Sequence, residues 1–304
     1  MLARVTTIKK YSAKVVSRHG AHLVVKDESN IRHTCISTKK FSQIVCGDHV
    51  ICDSNAQDRD QVAKLLPRSN VLNRKTEFAT KTVAANIDTI IIVCAIEPIP
   101  SVELIDHYIL AAELMPAAVM IAVNKTDLAN TNNLFALIKE KYSTLPYPVV
   151  KTNIHAPSGL DALTNHLYNK TCIFVGQSGV GKSSLINFLV PNLEIETQNI
   201  SDQISQGKHT TSTTTLYDLP NGGELIDSPG VRDFTTPELN HENIALGFVE
   251  IQKYGRECKF NNCRHINEPH CAVKDAIANK EINQERYKAY KKLLELNLED
   301  SRKN

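Results

Sequence analysis

The sequence predicts a multidomain protein in three parts: a small N-terminal β-barrel, a central α/β domain on a parallel sheet, and a C-terminal helical region. Three observations lead to this prediction. Short β-branched runs fill the N-terminal part, apolar strands then alternate with amphipathic helices, and cysteines cluster near the C-terminus. With 304 residues, of which 42% are apolar, the chain is long enough to form more than one core.

The N-terminal part, residues 1–68, is predicted to be an OB-like barrel. Five short runs, AKVVSR, HLVVK, IRHTCIS, DHVICD and QVAKLL, are separated by breakers such as HG and DESN. OB-folds commonly bind nucleic acid, although a barrel without a ligand fits the same pattern. This part also carries 12 Lys and Arg against 6 Asp and Glu, whereas the whole chain has a net charge of only +2. The excess indicates either a surface for polyanions or an ordinary solvated basic face.

The central part, residues 69–235, is predicted to be an α/β domain that follows a polar linker within residues 66–82. DTIIIVCAI has the continuous apolar character of a buried parallel strand, and SVELIDHYILAAEL follows as a helix with Ser101 as its N-cap. Strand AAVMIAV, helix NLFALIKEKY, strand PVVK, helix GLDALTNHLY and strand TCIFV continue the alternation. This order predicts a parallel sheet with ligands at the carboxyl ends of its strands.

No run approaches the roughly 18 apolar residues of a membrane span, and no signal peptide is recognisable. We therefore expect a cytoplasmic protein that does not bind membranes, and we expect it to be a monomer. Disulfides are not expected in that compartment. Five cysteines lie among apolar residues and are interpreted as core side chains, namely Cys35, Cys46, Cys52, Cys94 and Cys172.

GQSGVGKSS follows strand TCIFV and fits the phosphate-binding pattern G-x-x-x-x-G-K-[ST]. Its glycines let backbone N–H groups surround a phosphate, Lys182 is expected to reach the β- and γ-phosphates, and the Ser183 hydroxyl is expected to bind Mg²⁺. The order strand, loop, helix favours this P-loop over a plain glycine-rich turn. The predicted phosphate-binding residues are Gly176, Gln177, Ser178, Gly179, Val180, Gly181, Lys182, Ser183 and Ser184.

NKTD, at the end of strand AAVMIAV, indicates which base is bound. The Asp127 carboxylate can accept hydrogen bonds from the N1–H and the 2-amino group of guanine, whereas adenine offers no such pair of donors. Asn124 is expected to hold the loop and the base edge, and the Lys125 stem to pack on the ring, with Thr126 between them. This pattern is weak alone, but together with the P-loop it predicts binding of GTP and GDP.

DSPG follows strand GELI and supplies two further candidates. Asp227 is predicted to bind the Mg²⁺ shell, and the Gly230 N–H to meet the γ-phosphate. The intervening GKHTTSTTT contains Thr210 and Thr211, one of which is the candidate Mg²⁺-binding threonine; the alternative is a hydroxyl-rich loop without a ligand. Because NKTD precedes the P-loop, the reverse of the usual order, the domain is interpreted as a circular permutation cut after DSPG.

The C-terminal part, residues 236–304, contains a cysteine-histidine cluster. Cys258, Cys263, His265 and Cys271 supply three thiolates and one imidazole, the donor set of a closed structural zinc site. His270 is an alternative imidazole. Buried cysteines without a metal are disfavoured because this region has little else to form a core. The residues that follow, AVKDAIANKEINQERYKAYKKLLELNLE, have helical spacing without a breaker.

Together, NKTD, GQSGVGKSS, GKHTT, DSPG and C-x4-C-x-H-x5-C resemble the ribosome-small-subunit-dependent GTPase A (RsgA) family, over nearly the whole chain. The resemblance implies a GTPase that is stimulated by the small ribosomal subunit and acts in its late maturation through rRNA binding. It also favours His265 over His270 as a zinc ligand. Two positions differ from the family: Ser212 replaces a threonine, and Thr152-Asn153 replaces the Ser-Ala pair at the guanine O6 loop.

Val231 occupies the position at which Ras-like enzymes carry a water-orienting glutamine. An apolar side chain cannot orient water, so we expect a low intrinsic rate of hydrolysis. In addition to Lys182, His209 is the candidate catalytic residue, as the resemblance also implies. The alternative is that His209 contacts only RNA or solvent. The missing glutamine leaves open an RNA-binding adapter in which nucleotide only stabilises the fold, whereas NKTD opposes an ATPase or a kinase.

Overall fold

The structure is a computed structural model and describes residues 9–54, 59–75, 80–190, 213–228 and 240–303. The chain forms two compact units, each built from separate stretches. Unit 1 comprises Met1–Asp88, His166–Ile173 and Ser183–Asp233, and unit 2 comprises Thr89–Asn165, Phe174–Lys182 and Phe234–Asn304. The boundaries after residues 68 and 235 stay predictions. Among the described residues, none of the helices is long and apolar enough to cross a bilayer.

A five-stranded barrel opens unit 1. Its strands are β1 (Lys9–His19), β2 (His22–Asp27), β3 (Arg32–Ile36), β4 (His49–Ser54) and β5 (Asp60–Leu65). They pair in the order β1-β2-β3-β5-β4, and β4 pairs back with β1, which closes the barrel. Only the β3–β5 pairing is parallel. The predicted OB-like barrel is thus confirmed. Its interior is filled by Ala13, Val15, Leu23, Val25, Cys35, Val50, Cys52 and Val62.

The segment predicted as a polar linker, within residues 66–82, is not simply a linker. It contains β6 (Val71–Lys75), which pairs antiparallel with β7 (Thr80–Ala85) in a separate two-stranded sheet. A backbone bridge joins Ala84 to Cys46 of the barrel. The prediction failed because this sheet is stabilised by its contact with the barrel, which no local sequence pattern reveals.

Unit 2 is built on a parallel sheet, as the alternation of strands and helices predicts. The order β10-β9-β8 is parallel throughout. The elements along the chain are β8 (Thr89–Ala95), α1 (Val102–Leu114), β9 (Ala118–Asn124), α2 (Thr131–Lys141), β10 (Val149–Lys151) and α3 (Asp161–Leu167). Every residue of β8 is buried. Ser101 caps α1 by accepting the Leu104 N–H at 3.2 Å, a contact that stabilises a helix by about 1 kcal/mol.

Three strands and one helix follow. They are β11 (Thr171–Val175), α4 (Lys182–Leu189), β12 (Thr215–Asp218) and β13 (Glu224–Asp227). In unit 1, β11 pairs parallel with β13, β13 pairs antiparallel with β12, and β12 pairs antiparallel with β1 of the barrel. The barrel and the strand that leads to DSPG therefore belong to one continuous sheet. The five cysteines predicted to be core side chains are all buried.

The C-terminal region of unit 2 is helical. Its helices are α5 (His241–Leu246), α6 (Val249–Gly255), α7 (Ala272–Ala278) and α8 (Gln284–Lys303). The uninterrupted helical spacing over residues 272–299 is a misleading signal, because the backbone turns after Asn279, where Lys280 adopts a left-handed φ of 60°. The N–H groups of Glu281 and Ile282 then both donate to the Ala276 carbonyl. A left-handed lysine gives no breaker signal, since that conformation usually falls to glycine.

Candidate functional site

The P-loop connects the end of β11 to the start of α4. Gly176, Gly179 and Gly181 all have positive φ, at 143°, 83° and 97°. A Cβ on Gly176 would overlap the carbonyl oxygen of Val93, and a Cβ on Gly181 would overlap the side-chain amide of Asn124. Glycine is therefore required at positions 176 and 181 both by conformation and by close approach, and at position 179 by conformation alone.

Lys182 folds back over the loop that precedes it. Its ammonium group donates to the carbonyl oxygens of Gly176 and Gln177, each at 2.7 Å. The side chains of Ser183 and Ser184, at the start of α4, are exposed. The ammonium group thus lies where oxygen atoms of a bound phosphate could replace the two carbonyls.

Asn124 joins the NKTD loop to the P-loop. Its amide nitrogen donates to the Val180 carbonyl at 2.9 Å, and its amide oxygen accepts from the Thr152 hydroxyl at 3.0 Å. Both side chains are fully shielded, Asn124 at 3% exposure and Thr152 at 0%. Since buried amide groups are costly to leave unpaired, this arrangement fixes the two loops to each other.

Thr152 is a residue whose role the sequence analysis missed. Besides contacting Asn124, its carbonyl accepts the N–H and hydroxyl of Thr126, each at 3.3 Å, and its N–H donates to Val123. From the sequence, Thr152 is recognisable only as part of the Thr-Asn pair that replaces the Ser-Ala pair of the family. The available signal was its position, because Asn124 is the last residue of β9 and Thr152 directly follows the neighbouring parallel strand β10. The Asn153 side chain accepts the His155 N–H in a local turn.

The other NKTD residues lie as follows. Lys125 adopts a left-handed φ of 58°, and its ammonium group donates to the Glu97 carbonyl at 2.9 Å. The Asp127 side chain is exposed. Its carboxylate is therefore accessible to the polar edge of a base.

Cys258, Cys263, His265 and Cys271 come together near α6, α7 and α8, with their donor atoms all within 4.8 Å of one another. The Cys258 and Cys271 sulfurs are 3.9 Å apart, and each lies 3.5 Å from His265 Nδ1. Tetrahedral zinc with its usual bond lengths requires about 3.8 Å between sulfurs and about 3.6 Å between sulfur and nitrogen. The four residues therefore fit a zinc ion. His270, the alternative imidazole, is exposed and is not part of the set.

The loop that carries His265 is held by several hydrogen bonds. His265 has a left-handed φ of 62°, and its carbonyl accepts the Tyr287 hydroxyl at 2.6 Å. Burial lowers the pKa of the His265 imidazole, which favours the neutral form that binds metals. Burial raises the pKa of the Cys263 thiol to about 12, so that thiol needs a nearby cation to ionise. This donor set is one that a metal ion would stabilise.

Comparisons with known proteins identify the family of this chain. A family model described as RsgA GTPase matches residues 65–237, which is more than half of the chain. The chain belongs to the RsgA GTPase family. A small ribosomal subunit biogenesis GTPase RsgA from Chromohalobacter salexigens is 40% identical over 288 residues, covering 93% of this chain and 85% of that protein. One from Photorhabdus laumondii is 38% identical, covering 92% and 83%.

Two solved structures resemble the chain. YjeQ from Thermotoga maritima is 30% identical, with a TM-score of 0.80 over 95% of this chain and 99% of that one. YloQ, whose structure is described as that of a circularly permuted GTPase, has a TM-score of 0.77 over 99% of both chains, and at 23% identity this likeness concerns the fold. The permuted α/β domain predicted from the motif order is thereby confirmed.

The other residues singled out in the sequence lie in unit 1 or outside the described residues. Asp227 ends β13, opposite Thr215 of β12, and just beyond it the hydroxyls of Ser228 and Thr214 are 2.8 Å apart. His209, Thr210, Thr211 and Gly230 lie outside the described residues, as do Ser212 and Val231.

Part of the basic excess of the barrel is neutralised within unit 1. Lys14 and Lys26 both bind Glu224, Lys26 and Arg32 bind Asp218, and these two acids lie outside residues 1–68. The exposed cations of the barrel are Lys9, Lys10, Lys39, Lys40, Arg59 and Lys64. A cleft of about 760 Å³ in the same unit contains Arg18, Arg74 and Lys81, and its described lining includes no carboxylate.

Proposed function

We propose that this chain hydrolyses GTP to GDP and phosphate and that it acts in the biogenesis of the small ribosomal subunit, as its RsgA relatives are named for doing. The observation that carries the proposal is the bond from Asn124 to the Val180 carbonyl, which joins a base-recognition motif to a phosphate-binding loop. A P-loop alone would leave the base open. The adjacent NKTD motif favours guanine, because the exposed Asp127 carboxylate can accept two guanine hydrogen bonds.

Residues of the P-loop and of DSPG are both proposed to bind the phosphates. On nucleotide binding, Lys182 would exchange its two carbonyl partners for β- and γ-phosphate oxygens. The proposed role of Gly230, to meet the γ-phosphate with its N–H, follows from its place in the DSPG motif. Ser183, Asp227 and either Thr210 or Thr211 would hold Mg²⁺. When bound, Mg²⁺ neutralises charge that develops between the β- and γ-phosphates.

The attacking water requires a polar group that Val231 cannot supply. His209 takes this role as the catalytic residue in our proposal, because it lies in the threonine-rich segment between the P-loop and DSPG. We expect His209→Ala to lower subunit-stimulated turnover by at least about tenfold, the lower part of the range for a general base, while GDP affinity is unchanged. Turnover is measured as phosphate release and affinity with a fluorescent GDP analogue. Unchanged turnover with normal binding would remove His209 from the mechanism.

The barrel and the C-terminal region are the proposed rRNA contacts. The exposed lysines of the barrel and the carboxylate-free cleft with Arg18, Arg74 and Lys81 support binding to phosphodiester chains. The cleft is also lined by Thr213 and Thr214 of the GKHTTSTTT segment and by Ser228 of DSPG. Because His209 belongs to the same GKHTTSTTT segment, contact with rRNA there gives stimulation by the subunit a physical route.

One zinc ion at Cys258, Cys263, His265 and Cys271 is the proposed structural cofactor. The matching sulfur and nitrogen separations support it. With four protein ligands no position is open for water, so the ion stabilises the C-terminal region and takes no part in hydrolysis. The proposed setting is the cytoplasm, where the protein acts as a monomer during late maturation of the subunit.

Phosphate release from GTP and from ATP, with and without purified small ribosomal subunits, tests this function. We expect slow release from GTP alone, strong stimulation by small subunits and negligible release from ATP in either case. An RNA-binding adapter, which the absent glutamine leaves open, would bind GTP without turnover under all four conditions. Release from ATP at a rate similar to that from GTP would refute the assignment of the base.

A further inference from the structure

Helix α8 contacts two other parts of unit 2. One set of its residues contacts the loop that carries Arg264 and His265, called the metal-binding loop below, and another set contacts α1. The Tyr287 hydroxyl donates to the His265 carbonyl at 2.6 Å, and the Tyr290 hydroxyl donates to the Arg264 carbonyl at 3.2 Å. Arg286, only 1% exposed, instead donates to the Asp106 carboxylate of α1 at 2.7 Å. The position of α8 is therefore defined at once by the metal-binding loop and by α1.

Arg286 lies at the centre of a buried ionic cluster in unit 2. Its guanidinium group binds both carboxylate oxygens of Glu250, at 2.7 and 3.3 Å, and lies 4.2 Å from the centre of the Phe248 ring. Asp106 also accepts from Lys141 at 2.7 Å and from Tyr142 at 2.8 Å. A shift of α1 relative to α8 would separate charges that water does not reach, which is costly.

The N-terminal end of α1 contacts the P-loop. The Ser101 N–H, at the cap of the helix, donates to the side-chain oxygen of Gln177 at 3.3 Å. Asp106 follows Ser101 within about one and a half helical turns, so the two contacts belong to one short, stiff element. At the other end of α1, a Cβ on Gly247 would overlap the Leu110 side chain, so α1 also packs closely against the turn between α5 and α6.

We propose that Arg286 is a positioning residue for the P-loop: it fixes α1 through Asp106, and α1 fixes Gln177 through Ser101. This inference rests on the proposed function, because positioning of the loop matters only if the loop binds a nucleotide. Helix α8 thus influences nucleotide binding through Arg286 although it does not contact the nucleotide. By linkage, a ligand that displaces α8 through the metal-binding loop weakens nucleotide binding, and nucleotide opposes that displacement to the same degree.

A double-mutant cycle tests this route. Arg286→Lys retains the buried charge but cannot bind two carboxylates in the same geometry, and Gln177→Met removes the acceptor at nearly constant volume. The Kd for a fluorescent GDP analogue is measured for the wild type, both single variants and the double variant. We expect each single variant to raise the Kd about fivefold, the lower end of typical couplings, and the double variant to be no weaker than the weaker single variant.

Multiplying effects in the double variant, or an unchanged Kd for Arg286→Lys, would overturn the inference. Thermal unfolding of each variant accompanies the titrations, since a purely structural role for Arg286 would lower the melting temperature and leave the Kd unchanged. Lys288→Gln is the matched control on α8, because Lys288 is exposed and pairs with Glu285 at the surface. It should alter the Kd less than twofold.

If Arg286→Lys does not fold, Asp106→Asn takes its place in the same cycle. Its amide keeps the size of the carboxylate and one acceptor for Arg286, and the same two outcomes decide. Failure of the wild type to bind GDP would refute the proposed function together with this inference. Normal GDP binding and GTP hydrolysis by the wild type, with multiplying effects in the cycle, would refute only this inference.

Discussion

Replacement of Thr152 by Val removes its hydroxyl group and nearly preserves its shape. The two side chains are nearly isosteric, but valine cannot donate to the Asn124 amide oxygen, which Thr152 Oγ1 approaches to 3.0 Å. Because both residues are buried, that oxygen would have no water to replace the lost donor. An unsatisfied buried acceptor costs roughly 1–3 kcal/mol, which corresponds to about 5- to 150-fold in a binding constant.

The cost should appear mainly as lost nucleotide affinity. In the variant, the Asn124 amide oxygen can regain a partner only if the two loops separate and admit water, whereas bound GDP requires the NKTD loop and the P-loop to be held together. Titration with a fluorescent GDP analogue should show that Thr152→Val raises the Kd by about 5- to 150-fold. Thr152→Ser, which keeps the hydroxyl, should have a Kd within about threefold of the wild type. Equal affinity of Thr152→Val and the wild type would refute the view that this hydroxyl holds the two motifs together.

Three further predictions concern the base, the metal and acid stability. Asp127→Ala should weaken GTP binding by at least about 100-fold and leave ATP binding unchanged, in competition titrations; equal losses for both nucleotides would contradict the role of Asp127. Metal analysis should find one zinc per wild-type chain and much less in Cys271→Ser; full zinc in the variant would exclude Cys271 as a ligand. Burial alone would raise the pKa of the Glu224 carboxyl, but Lys14 and Lys26 lower it to about 2. Its stabilising contribution, at most about 3 kcal/mol, is therefore present above about pH 4.5 and lost as the pH falls towards 2. In urea denaturation, the deficit of Glu224→Gln relative to the wild type should shrink over that interval, and a deficit independent of pH would contradict this assignment.

The sequence predicted the elements whose stability is encoded locally. The apolar run of β8, the capping Ser101 of α1 and the glycines of the P-loop each express a physical requirement within a few residues. The cysteine-histidine cluster could be predicted equally well, because ligand chemistry and spacing are both local properties. The structure places only His265, and not His270, with the three thiols.

Contacts between distant residues were not predictable in the same way. Nothing in the sequence around Arg286 indicates that it is buried against Asp106, 180 residues earlier in the chain. The end of β7 packs closely against the barrel, since a Cβ added to Gly47 would overlap the Ala85 carbonyl oxygen, and no local pattern indicates this contact. Thr152 looked like a departure from a motif, whereas its function follows from the register of β10 against β9.

The central claim is that guanine nucleotides control the action of this protein on the small ribosomal subunit. The most direct test is co-sedimentation of the full-length protein with purified small subunits in a non-hydrolysable GTP analogue, in GDP and without nucleotide. We expect tight association with the analogue and at least about tenfold weaker association with GDP, as a coupling of about 1.4 kcal/mol between the two sites requires. Equal association in all three conditions would contradict the account.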